Sequence, residues 1–165
     1  MKKSILLLLL SVLSMASLNL AKAQSTFSLT ELESLCDYGT PNFETYVLNK
    51  GYSYWSEFSS VAATLYHADK QREDATRDLI SRSAYGTLVS FTTSSKQYYL
   101  DLKTALTNQG YKFVKEEQKV IGGTSDPLNT IWYHYANENY KVIIYSYSLE
   151  INGVAYYVIQ IQKNV

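Results

Sequence analysis

Apolar side chains recur along this chain with two different periods. Leu29, Leu32 and Cys36 fall three and four residues apart. Phe43 and Val47, and much later Leu102 and Leu106, are each four apart. That spacing places each set on one face of a helix. Elsewhere the pattern changes to strict alternation, which places every second side chain on one side of a strand. Ser28-Leu29-Thr30-Glu31 spells a capping box and opens a first short helix. Thr40-Pro41 opens a second, with threonine as the cap and proline at the first helical position. A single longer helix is predicted within 93–110. Strands are predicted at 51–58, 61–68, 77–84 and 87–94, and again at 110–120, 130–137, 140–151 and 154–163. The charged segment 68–76, "ADKQREDAT", reads as a loop or a helical turn.

The two sets of elements echo one another. "NKGYSYW" at 49–55 returns as "NQGYKFV" at 108–114, an offset of 59. Gly51 then meets Gly110, Tyr52 meets Tyr111, Tyr54 meets Phe113, and Phe43 and Val47 meet Leu102 and Leu106. Each glycine reads as a helix end, because glycine tolerates the left-handed conformation that closes helices. A second echo has an offset of 67: Tyr66-His67 with Tyr133-His134, and Gly86 with Gly153. The loop "GGTSDP" at 122–127 accounts for the added length. The expected fold is therefore α+β. It is a tandem duplication of a helix-plus-four-stranded antiparallel unit, with residues 24–94 and 95–165 as the two units and the helices on one face of the sheet. The units form one compact domain or two closely packed halves.

Turn chemistry fixes which residues share a side. Asn152-Gly153 is a strong two-residue hairpin signal. It pairs Ile151 with Val154, Leu149 with Tyr156, and Tyr147 with Val158. In the first unit the matching pairs are Arg82 with Val89 and Ile80 with Phe91. This side is the more apolar and is expected to face the helices. The other side carries Ser81, Ser83, Ser90 and Thr92 among Leu88, Tyr157, Ile159 and Ile161. It is expected to lie open.

Composition narrows the class. The N-terminus has Lys2 and Lys3, an apolar run, and Ala21-Lys22-Ala23. It reads as a secretory signal over 1–23, too short in its apolar part for a membrane span. The protein is thus expected to be exported, periplasmic or secreted. The chain has 15 basic and 15 acidic side chains, and losing the leader's three lysines leaves 12 against 15. A net charge of −3 offers no footprint for nucleic acid or anionic lipid. The single cysteine, Cys36, forms no internal disulfide and is expected to pack as a small hydrophobe. Sixteen tyrosines are the compositional oddity. They favour strands and offer an apolar ring with a polar tip.

Signals for chemistry are sparse. His67 with Asp69, or His134 with Glu138, offers at most two ligands, where zinc uses three or four. No serine lies in a G-x-S-x-G elbow, and 121–127 lacks the lysine of a phosphate loop. Neither a metal nor any other cofactor is expected. Trp55 and Trp132 are candidates for stacking on a sugar or anchoring a protein. Tandem helix-plus-four-strand units in an exported chain of this size resemble, in layout alone, the bacterial β-lactamase-inhibitor proteins, and no motif is shared. The expected function is a non-enzymatic binding protein of the cell envelope or extracellular space. It would use a tyrosine- and serine-rich sheet surface, with Trp55, Trp132, His134, Tyr157 and Ile159 as the binding candidates, and a protein or glycan as its partner. The alternatives are a small hydrolase or metal-dependent enzyme using His67 and His134, and a carrier of a small apolar ligand.

Overall fold

The computed structural model describes residues 26–55, 64–68, 77–83, 86–121, 128–148 and 153–164, with backbone alone for 64–68. The leader at 1–23, most of 68–76, the 122–127 loop and Asn152 lie outside the described residues. Among the described residues, no helix is long and apolar enough to cross a membrane.

Among those residues three helices form where the capping and periodicity place them: α1 Leu29–Asp37, α2 Thr40–Asn49 and α3 Lys96–Asn108. The capping box at the start of α1 is complete. Glu31 N–H donates to Ser28 Oγ at 3.2 Å, and Ser28 N–H donates to Glu31 Oε2 at 2.8 Å. Helix α2 departs by one residue from its prediction. Gly39 is the cap, and Pro41 sits in the first turn, where its missing N–H leaves no helical bond unmade.

Both glycine junctions close as the echo predicts. Gly51 and Gly110 have φ of 90° and 78°. Tyr52 N–H donates to Val47 O at 3.1 Å, and Tyr111 N–H donates to Leu106 O at 3.0 Å. Gly51 N–H reaches Leu48 O, and Gly110 N–H reaches Thr107 O, at 2.9 and 3.2 Å. This is the paired-bond closure that needs a left-handed residue.

The strands are β1 Ser53–Tyr54, β2 Thr64–Ala68, β3 Leu79–Ser83, β4 Leu88–Thr93, β5 Lys112–Ile121, β6 Leu128–Ala136, β7 Tyr140–Ser148 and β8 Ala155–Lys163. They form one antiparallel sheet in the order β1-β2-β3-β4-β8-β7-β6-β5. The fold class is mixed α+β. Each group of four strands runs outward from the centre, where β4 pairs with β8.

Register corrects the second echo. Ser53 pairs with Ala68 and Lys112 with Ala136; Tyr54 pairs with His67 and Phe113 with Tyr135. Counting from the glycine junctions, His67 therefore corresponds to Tyr135. The two histidines do not occupy equivalent places, because the offset in these strands is 68 and not 67.

The hairpin of β3 and β4 has the predicted register, with Ile80 opposite Phe91 and Arg82 opposite Val89. That of β7 and β8 is shifted by two residues: Tyr147 faces Tyr156, not Val158. A shift of two leaves the division into sides intact, since side chains alternate with period two. What the structure reverses is the choice of side in β7 and β8. Ile80, Val89 and Phe91 are buried as expected, but the neighbours that continue their side are Ile159, Ile161, Val142 and Ile144, all at most 1% exposed. Ile159 and Ile161 are core, and the expectation that they lie open is corrected. Tyr157 lies on this same side and packs against Tyr99 of α3, with ring centroids 4.9 Å apart. The physical reason is packing. Both sides of β8 carry apolar residues, and the helices cover the one with Ile159 and Ile161, where the Cys36 thiol of α1 reaches Ile161 O and Tyr99 of α3 meets Tyr157. Leu149 and Ile151, which made the opposite side look more apolar, lie outside the described residues.

The core joins Phe27, Leu32, Leu35, Phe43, Val47, Leu102 and Leu106 to these strand residues in one cluster. Cys36 is part of it, 1% exposed, with its thiol directed at Leu32 O and Ile161 O. Its packing as a small hydrophobe follows. Burial pushes its thiol pKa up to about 12. Arg82 is buried on the core side at 7% exposure. Its Nη1 donates to Leu35 O in the last turn of α1 at 2.6 Å, and its guanidinium lies 5.9 Å from the Phe43 ring. A cation suits a helix C-terminus, where carbonyls lack partners.

Candidate functional site: the open side of the sheet

The second side of the sheet reads across the strands in rows. One row runs Ser81, Ser90, Gln160, Ile143, His134, Lys115. Another runs Leu79, Thr92, Val158, Tyr145, and is continued by Trp132 and Glu117. Beyond it Tyr147 stands opposite Tyr156. Alternation puts all of these on one side, and antiparallel pairing brings them into register.

The aromatic rings stack side by side. Trp132 and Tyr145 have centroids 4.3 Å apart and planes within 4°. Tyr147 and Tyr156 are 5.6 Å apart with planes 21° from parallel. Lys119, on the strand flanking β6 on its other side, holds its ammonium 4.3 Å from the Trp132 ring. Both flat faces of the indole are therefore occupied, one by tyrosine and one by a cation. Its Nε1–H donates to Thr130 Oγ1 at 2.7 Å, which sets the ring's orientation. What Trp132 offers outward is an edge. A sugar stacks on a ring face, so this geometry fits an anchor for a protein better than a platform for a glycan.

Two depressions lie on this side, lined by strand residues alone among the described residues. One, of about 300 Å³, has Tyr145 and Tyr147 on one wall and Ser90 and Thr92 on the other, with Val158 and Ser81 almost wholly buried in it. The other, of about 200 Å³, includes Leu88, Val114, Ile143, His134, Lys115 and Lys141. They share Leu88 and Gln160.

Charge gathers at the β5 end. Glu117 lies 3.2 Å from Lys115 Nζ and 3.5 Å from Lys119 Nζ. The hydrogen bond from Lys115 holds its carboxyl below the usual carboxylate range. His134 Nε2 is 3.2 Å from Glu117 Oε2, out of line for a hydrogen bond, and is otherwise unpaired. The carboxylate beside His134 is thus Glu117, not the Glu138 suggested by sequence proximity. Glu138 lines a separate depression of about 550 Å³ near Gly110. Among the described residues, no group of three or more His, Cys, Asp and Glu side chains could hold a metal ion.

Of the residues singled out from sequence, Trp132 and His134 share the open side, as their spacing predicts. Tyr157 and Ile159 belong to the opposite side. Trp55 is half-buried just after β1, its ring 5.1 Å from the Arg77 guanidinium. Strands β1 and β6 are six positions apart in the sheet, roughly 29 Å at the usual strand spacing, so Trp55 and Trp132 do not form one site. Sequence reasoning missed Tyr145, Tyr147 and Tyr156. Alternation had placed Tyr147 and Tyr156 together, but on the side assigned to the core. Comparison with protein-family models, with curated proteins and with solved structures returned no match.

Proposed function

We propose that this is an exported, non-enzymatic binding protein of the cell envelope or extracellular space, and that the open side of its sheet engages a protein partner. The observation that carries the reading is the band of four half-buried rings, Trp132, Tyr145, Tyr147 and Tyr156, beside two depressions on a side to which the described helices contribute no lining. Aromatic residues standing among serine, threonine and glutamine are the composition of adaptable protein-binding surfaces. Export rests on the leader at 1–23. Duplication of one unit is part of the proposal. The matching glycine closures and the outward order of strands on either side of the β4–β8 pair support it.

The test is an affinity capture with the protein as bait, on envelope and culture-supernatant fractions. A Tyr147→Ser, Tyr156→Ser variant serves as control. A partner retained by the wild type and lost by the variant supports the reading. A partner indifferent to these changes, or no partner in any fraction, overturns it. Tyr157→Ala with Ile159→Ser is unsuitable as a control, since Ile159 is core and Tyr157 packs against Tyr99 of α3.

A further inference from the structure

Resting on the binding reading above, we infer that the partner's docking segment presents a large apolar side chain flanked by carboxylates. Size comes first. The depression of about 200 Å³ holds Leu88, Val114 and Ile143. Sites for small molecules span roughly 300–1,000 Å³ and bury most of the ligand. This one is too small for that and suits a single side chain. A protein anchored by one apolar residue in a small, desolvated pocket is the usual arrangement of an interface hot spot.

Charge gives the flanks. By register, the described open side carries Lys112, Lys115, Lys119 and Lys141 against Glu117 alone. That single carboxylate is already engaged by Lys115 and Lys119. Lys115 and Lys141 line the apolar depression itself, and Lys141 makes no ion pair among the described residues. The chain without its leader is acidic overall, so this side runs opposite to the rest of the molecule. Complementary charge sets register and association rate. Carboxylates beside the apolar anchor would meet these ammonium groups.

The edge of the sheet is a poorer candidate. Strand β5 is long and exposed, but it alternates lysines with glutamates and carries a bulge between Phe113 and Lys115. Those are the features that blunt an edge against strand addition.

The probe is a displayed random library of twelve-residue peptides, selected against protein produced from the full chain and read by sequencing. Three variants run alongside: Lys115→Glu with Lys141→Glu, Lys141→Ala alone, and Tyr147→Ser with Tyr156→Ser. Each is checked for an unchanged thermal melt, and Lys141→Ala serves where the double reversal fails to fold. The expected result is enrichment of peptides with Asp or Glu around one Leu, Phe or Trp. Their affinity should fall at least tenfold on charge reversal and weaken with added salt. Neutral or basic peptides that depend on Tyr147 and Tyr156 would overturn the charge inference and leave the binding surface standing. No enrichment that depends on either set would overturn both.

Discussion

Trp132 lies flat against Tyr145, 4.3 Å between ring centroids, although the ladder between their strands ends one step earlier at Tyr133 and Ile144. Ring stacking therefore continues the contact of β6 with β7 where backbone pairing stops. A double-mutant cycle on Trp132→Leu and Tyr145→Leu should give a coupling of about 0.5–1.5 kcal/mol, the range for such pairs. Urea unfolding measures it. Additive effects within error would mean that the stack holds nothing together.

The left-handed glycines make a sharper prediction. An added Cβ at Gly51 or Gly110 meets no atom within 4 Å, so only the backbone resists substitution. Gly51→Ala and Gly110→Ala should each destabilise by about 1–2 kcal/mol, the cost of placing an L-residue in that region. The double variant should show their sum, the two helix ends being independent.

The two sides of β8 should respond very differently to truncation. Ile159→Ala opens a cavity in the core and should cost about 2–5 kcal/mol. Tyr156→Ser, three residues earlier on the opposite side of the same strand, should cost far less and act on partner binding instead. Equal losses of thermal stability would mean that the sides are wrongly assigned.

Acid should loosen the junction of α1 with α2. Burial alone would raise the Glu31 pKa. Bonds from Lys50, at 2.6 Å, from the Tyr46 hydroxyl, at 2.5 Å, and from Ser28 outweigh that and hold it at about 2, against an ordinary 4.5. A folded-state pKa below the unfolded value contributes stability that is complete above the unfolded value. That stability is lost as pH falls from about 4.5 towards 2. Unfolding free energy measured by urea titration across this range should fall less steeply in Glu31→Gln than in the wild type.

Cys36 should be silent to thiol reagents in the native protein. A pKa near 12 and 1% exposure leave almost no thiolate at pH 8. One thiol per chain should react once guanidinium unfolds it. Rapid native labelling would show that α1 opens readily from the sheet.

Features that depend only on neighbours along the chain were legible before any fold was known. Ser28 and Glu31 sit three apart and cap α1 regardless of what packs above. Gly51 and Gly110 end helices because the chain must turn left-handed there. Ile80 meets Phe91 and Arg82 meets Val89 as the spacing along the chain predicts. Alternation likewise divided β8 into two sets: Tyr156, Val158 and Gln160, and Tyr157, Ile159 and Ile161. Which of the two sets is core follows from packing against the helices. Both contain apolar residues, because β8 lies at the centre of the sheet, and alternation separates sides without ranking them. The ranking comes from α1, whose Cys36 packs against Ile161, and from α3, whose Tyr99 meets Tyr157. The same holds for the site. Trp132 and His134 are legible as neighbours because they share a strand, whereas the stack of Trp132 on Tyr145 and the approach of Glu117 to His134 arise from strands that meet only once the sheet is assembled.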